Sequence, residues 1–275
     1  MLAGFAPPAS SPSNGLLKDL LNRFGGGLEL TTLAAVPKGS GLGTSSIMGA
    51  VVLAVIHRVL GRELSSTELF HAVLRLEQAL TTGGGWQDQI GGVLGGVKLI
   101  TTRPGLVPDP TVRYVPPDVL DPKANGSQTL LYYTVITRLA KNILAQVVGR
   151  YLDRNRAAMA TLRRIQALAS EVAEAMARKD LAAFGEAIDR AWVLNKELDP
   201  ESSNPQIEAI LARVRQHIYG AKLLGAGGGG FLLLVSRSPE DAVLVKRQLE
   251  SEQPNPRARF FDFAVSQDGL AISVC

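Results

Sequence analysis

Residues 37–46 read Pro-Lys-Gly-Ser-Gly-Leu-Gly-Thr-Ser-Ser and run directly into an apolar stretch from Ile47 to Ile56. Glycine at every second position strips side chains from the loop, so backbone N–H groups can approach an anion closely. The Thr/Ser run then falls at the first turn of a helix, where unpaired N–H groups and the helix dipole already favour negative charge. Leu28 to Val36 alternates weakly and predicts a strand feeding the loop. The unit is strand, loop and helix, built to hold phosphate. It lacks the closing Gly-Lys-Ser/Thr of a Walker A loop, and its G-x-G-x-G spacing is not the G-x-G-x-x-G of a dinucleotide fold.

The rest of the composition narrows the class. A chain of 275 residues with 46% hydrophobic content can bury one or two cores. The single cysteine, Cys275, excludes an internal disulfide framework and fits a reducing, cytoplasmic setting. Residues 1–13 carry neither a basic nor an apolar signal region, and Ile47 to Ile56 is too short to span a bilayer. The net charge of +4 is mild and aromatics make up only 5%, which argues against a nucleic-acid surface and suits a small anionic substrate.

Along the chain, residues 1–27 are loop-rich around one short helix at Leu16–Arg23. Helices are expected at Ser46–Leu60 and from Ser65, the latter opened by a capping box with Glu68. Leu69, Val73, Leu76 and Leu80 form its apolar stripe, and Glu77 sits at the margin of that stripe. A break at Thr81–Gly85 leads to a strand at Val93–Thr101. Residues 102–128 hold six prolines and mark the best domain boundary. Beyond a β-rich run at Thr129–Val135 the pattern is helical from Arg138 to about Leu198, with breaks near Asp180 and Gly185. Asn204-Pro205 starts another helix. Strand Phe231–Val235, helix Pro239–Glu250 and strands Ala258–Val265 and Leu270–Val274 complete an α+β half.

Two further glycine clusters stand out. Thr81-Thr82-Gly83-Gly84-Gly85-Trp86-Gln87-Asp88-Gln89-Ile90-Gly91-Gly92 sets an acid in a glycine-rich bend, where its carboxylate could orient or deprotonate an attacking hydroxyl. Taken alone, such an Asp is more often the cap of a turn. Gly225-Ala226-Gly227-Gly228-Gly229-Gly230 formally contains G-x-G-x-x-G, but it stands after a helix and before a strand, which is the wrong order for dinucleotide binding. It is a loop for packing against another backbone or a bound phosphate.

In this order the three clusters resemble the GHMP kinase superfamily, and the run Thr81–Gln89 with Gly91-Gly92 is similar to its L-fucokinases. Leu131-Tyr132-Tyr133-Thr134, Thr137-Arg138-Leu139-Ala140-Lys141, Trp192 with Asn195-Lys196, and Asn255–Phe260 extend the resemblance, which runs from about Leu28 to the C-terminus. It implies an α+β, GHMP kinase-like two-domain fold. Residues 28–128 would form a partial ribosomal S5 domain 2-like, ATP-binding part, and residues 129–275 a ferredoxin-like α+β C-terminal domain. It implies ATP and Mg²⁺ as cofactors and phosphorylation of the anomeric hydroxyl of L-fucose as the reaction. Pro37, Gly39, Ser40, Gly41, Leu42, Gly43, Thr44 and Ser45 would cradle the nucleotide phosphates, aided by Gly225, Gly227, Gly228 and Gly229. Ser45 and Glu77 would hold the metal, Asp88 would face the sugar hydroxyl as the catalytic acid/base, and Trp86, Gln87 and Arg138 would contact substrate.

The superfamily's first motif, of the type Arg-x-Asp-Leu-Ala-Gly-Gly-Trp-x-Asp, has no counterpart in these residues. The expectation is therefore an N-terminally truncated kinase that lacks strands normally found ahead of residue 28. Two alternatives stand beside fucokinase. One is a sugar-phosphate kinase such as a heptose 7-phosphate kinase. The other is a nucleotide-binding module that is inactive without a missing N-terminal portion or partner chain.

Overall fold

The computed structural model describes residues 15–25, 28–80, 85–105, 108–136, 140–253 and 255–274. In the N-terminal half, α1 (Gly15–Phe24) precedes a segment at 28–35 that has no regular structure and joins no β-ladder among the described residues. The strand expected at Leu28–Val36 is thus corrected to irregular chain. Among the described residues no strand pairs with it, and Leu33 stands 88% exposed. Helix α2 (Thr44–Val59) leaves the glycine loop, and α3 (Ser66–Leu80) begins at the predicted capping box, where Ser65 N donates to Glu68 Oε2 and Glu68 N to Ser65 Oγ. Small residues on α2, Ala50 and Ala54, let the helices approach over Leu69, Val73 and Val93. Full burial of Val73 contributes about 1.5–3 kcal/mol. The stripe stops at Leu76; Leu80 is 73% exposed.

A helix, α4 (Gln87–Val93), takes the place of the expected bend. Gly92 lies within it, and a Cβ there would collide with the Ile47 side chain, so this glycine allows close helix contact rather than breaking the helix. Strand β1 (Val97–Thr102) then pairs antiparallel with β2 (Pro110–Val115), Val97 opposite Val115.

The C-terminal half is a four-stranded antiparallel sheet of β3 (Thr129–Tyr133), β4 (Ile218–Leu223), β5 (Phe231–Ser236) and β6 (Arg259–Phe261), ordered β4-β5-β3-β6. Counted within this half the strands lie second, third, first, fourth, which is the ferredoxin-like order the resemblance implied. Helices α5 (Ala140–Leu152), α6 (Arg156–Ala177), α7 (Leu181–Leu198), α8 (Pro205–Val214) and α9 (Pro239–Ser251) accompany it. Strand β5 is buried at every residue and anchors a core with Tyr132, Trp192, Ile207 and Leu249. Gly185 does not break the helix as expected. It lies inside α7 where β4 and β5 press on the helix: a Cβ at Gly185 would lie 2.5 Å from the Tyr219 Cβ, and one at Gly220 would strike the Gly185 carbonyl.

The two halves interlock. Val97 and Val115 of the β1–β2 hairpin share a core with Met176, Phe184 and Val235. Of the late strands expected at 258–265 and 270–274, only Arg259–Phe261 pairs. The tail instead returns to the N-terminal half, where Ser266 O accepts from Gly96 N at 2.8 Å and Leu270 N donates to Val93 O at 2.9 Å.

Candidate active site

The glycine loop is built from left-handed backbone: φ is +74° at Gly39, +77° at Gly41 and +66° at Gly43. L-residues reach this region only with strain, which accounts for glycine at alternate positions. Gly43 caps α2 without a side-chain hydrogen bond, and the helix has no acidic residue in its first turn. Its first N–H groups are therefore left for an anion at the positive end of a 16-residue helix. Ser40 is buried and exchanges a 3.3 Å hydrogen bond with Thr44, which ties the loop to the helix start. Ser45 points outward and is exposed.

Asp88 stands at the mouth of this loop. A Cβ on Gly43 would lie 3.2 Å from both Cβ and Cγ of Asp88, tight enough to push the carboxyl away from the loop. Although Asp88 reaches solvent, the protein around its carboxyl disfavours the charged form and raises the pKa above the usual aspartate value. The negative charge of Glu77 raises it further, and a hydrogen bond with Gln87 partly offsets this. Glu77, half-buried on α3, accepts at Oε2 from Ser46 Oγ at 2.9 Å and from Gln89 Nε2. Glu77 lies close enough for its charge to act on Asp88, and Ser45 directly precedes the Ser46 that binds Glu77. Carboxylate and hydroxyl oxygens are the ligand types that a hard divalent cation takes. Among the described residues no group of three or more His, Cys, Asp or Glu gathers as a metal cluster, at this site or any other.

The third glycine cluster backs the loop. A Cβ on Gly41 would strike the Leu224 carbonyl oxygen, and one on Gly225 would lie 2.9 Å from the Gly41 Cα. Gly230 presses on Ser40 O and Gly39 O, where a Cβ would sit at 2.6 and 2.8 Å, while Phe231 N donates to Ser40 O at 3.1 Å. The neighbouring glycines face elsewhere. Gly227 packs on Ser202, Gly228 N donates to Ser202 O at 2.6 Å, and Gly229 abuts Ile136 O. So Gly225 touches the loop, Gly227, Gly228 and Gly229 shape the turn behind it, and Gly230, absent from the expected set, is the second point of contact.

Trp86 caps α4 and meets Phe70 edge-on at 6.5 Å, and Gln87 is exposed beside Asp88. Arg138 lies outside the described residues, as do Gly83 and Gly84. Leu42 and Thr44 share with Leu30, Val36, Ile47 and Val51 an apolar groove of about 540 Å³ along the outer face of α2. The sequence reading gave no role to Ser46 or Gln89, and nothing in their spacing marks them as buried.

The sequence pattern of the GHMP kinases N terminal domain matches residues 14–96, and that of the GHMP kinases C terminal domain matches residues 172–255. This chain belongs to the GHMP kinase family. The GHMP kinase fold is echoed by the crystal structure of Lactococcus lactis galactokinase complexed with galactose, at a TM-score of 0.65 and 16% identity over 94% of this chain and 74% of that one. Among curated proteins this GHMP kinase is 43% identical over 272 residues to the L-fucokinase/L-fucose-1-P guanylyltransferase of Bacteroides fragilis, covering 99% of this chain. It spans only 29% of that protein's length. It is 27% identical over 247 residues to the D-glycero-alpha-D-manno-heptose 7-phosphate kinase of Campylobacter jejuni, covering 88% of this chain and 69% of that one. No helix among the described residues is long and apolar enough to cross a membrane.

Proposed function

We propose that this chain carries the phosphoryl-transfer centre of an ATP-dependent L-fucokinase that forms fucose 1-phosphate. The observation that carries the reading is the Asp88 carboxyl set against Gly43 of the anion loop, with Glu77 close enough to raise its pKa. The greater similarity to the fucokinase-containing protein than to the heptose 7-phosphate kinase supports fucose as the sugar. In this reading the loop amides and the N-terminus of α2 hold the nucleotide phosphates and stabilise charge on the transferring group. Mg²⁺ bound by Ser45 and Glu77 would supply charge neutralisation. Asp88 accepts the proton of the anomeric hydroxyl as its oxygen bonds to the γ-phosphorus and the bond to the ADP oxygen breaks. A raised pKa makes its carboxylate a stronger proton acceptor. The lone cysteine supports a cytoplasmic setting.

A second reading is favoured by one specific observation, the open apolar groove beside unpaired residues 28–35. In it the chain binds nucleotide but needs further polypeptide against that face for turnover. The test is ADP release with L-fucose and with heptose 7-phosphate, the product identified by ³¹P NMR, for wild type and Asp88→Asn. We expect L-fucose to be the better substrate and kcat to fall about 10²–10⁴-fold in the variant, with nucleotide affinity little changed. A variant within a few-fold of wild type overturns the role of Asp88. Nucleotide binding without turnover selects the second reading.

A further inference from the structure

We propose that Gln89 and Ser46 are positioning residues that fix the Glu77 carboxylate and, through the same pin, the placement of Asp88. The proposal rests on the reading of Glu77 as a metal-holding carboxylate. Gln89 is 1% exposed and Ser46 is 3% exposed, so both polar side chains are committed to the interior. Each donates to one oxygen, Glu77 Oε2, from a different helix: Ser46 from α2 and Gln89 from α4, with Glu77 on α3. Two donors on a single carboxylate oxygen leave that side chain one rotamer and one orientation.

The orientation of the Gln89 amide is itself determined. Its Nε2 lies between two acceptors, Glu77 Oε2 and Gly85 O, the latter at 3.3 Å, and the flipped amide would set oxygen against both. Its Oε1 is buried and finds no partner among the described residues. A buried acceptor without a partner is unfavourable, so this side chain is placed for its contact with Glu77 at the expense of its own satisfaction. Gln89 also follows Asp88 directly on the seven-residue α4. With Gln89 turned inward to Glu77 and Asp88 turned toward Gly43, one short helix sets the separation of the two carboxylates.

The test uses Ser46→Ala, Gln89→Met and Glu77→Gln, alone and combined. Mn²⁺ is titrated by EPR in the presence of a non-hydrolysable ATP analogue, alongside the Mg²⁺ dependence of kcat and a thermal melt for folding. Removing a partner that orients a metal ligand commonly weakens metal binding 10–100-fold. We expect half-saturating Mn²⁺ to rise by that factor in Gln89→Met and about 10-fold in Ser46→Ala. Adding Gln89→Met to Glu77→Gln should weaken binding less than two-fold further, because the effect runs through Glu77. The proposal is overturned if the folded single variants bind Mn²⁺ within two-fold of wild type, or if Gln89→Met keeps its full effect in the Glu77→Gln background. Should Gln89→Met fail to fold, Ser46→Ala alone decides by the same thresholds. Wild-type chain that holds no Mn²⁺ overturns the metal reading and the proposal with it. Wild type that binds Mn²⁺ but does not phosphorylate L-fucose leaves this proposal standing and counts only against the fucokinase reading.

Discussion

Gly41→Ala isolates the contact between the anion loop and the turn behind it. Two costs follow from the structure. Alanine at φ +77° occupies left-handed backbone, which costs about 1–2 kcal/mol. Its Cβ would also penetrate the Leu224 carbonyl, a backbone atom that no rotamer change can move aside. Loop and turn must separate, with loss of the Phe231 N to Ser40 O hydrogen bond, worth about 0.5–1.5 kcal/mol. The expected loss is about 3 kcal/mol, which lowers Tm by roughly 6–12 °C in a chain of this size. Gly25→Ala is the matched control, since Gly25 has φ +61° and nothing within 4 Å of its Cβ position. It should lose only the backbone part, about 1–2 kcal/mol. Urea unfolding followed by fluorescence of the buried Trp192 reads both variants. A Gly41→Ala midpoint equal to that of Gly25→Ala would refute the argument that the two glycine turns carry load against each other.

Two predictions concern pH. The folded-state pKa of Asp88 is raised by desolvation and by Glu77, so its ionised form is disfavoured in the fold, a penalty present above its unfolded pKa and relieved as pH falls. Asp88→Asn should therefore be more stable than wild type at pH 7 although less active, with the stability gain shrinking in acid; equal melts at pH 7 would contradict this. Lys222, buried against Leu223 O with a pKa lowered to about 8, is the opposite case. Its charged form weakens the fold below pH 8, and wild-type stability should recover between about pH 8 and the unfolded lysine value near 10.4. Lys222→Met should raise the urea midpoint at pH 7 and raise it less at pH 10; a pH-independent difference would count against desolvation as the cause.

The sequence showed most where function and local structure coincide. The glycine loop, the capping box at Ser65 and Glu68, and the Asn204 cap follow from short-range chemistry and appear as expected. Helix α4 did not, because glycine propensity argues for a bend, whereas the Ile47 side chain that fills the space over Gly92 is 45 residues away in sequence. Residues 28–35 alternate like a strand, but a ladder also needs a neighbour, and periodicity cannot supply one. In the candidate site, Asp88 and Glu77 stand out through the resemblance, and Glu77 also through its place beside an apolar stripe. Ser46 and Gln89 do not, since a buried hydrogen bond between three helices leaves no mark in spacing. Gly230 was passed over for the same reason, its contact with Gly39 and Ser40 depending on a pairing between distant halves.

The backing of the loop by Leu224, Gly225 and Gly230 has a mechanical consequence. The loop cannot retreat from an incoming anion, because its rear surface is already main chain in contact with main chain. Any adjustment must go forward, toward Asp88. A phosphate-bearing ligand held there, as proposed, would find the cradle already formed, at little cost in ordering entropy. Its affinity would then depend on the turn of the opposite half as much as on the loop glycines.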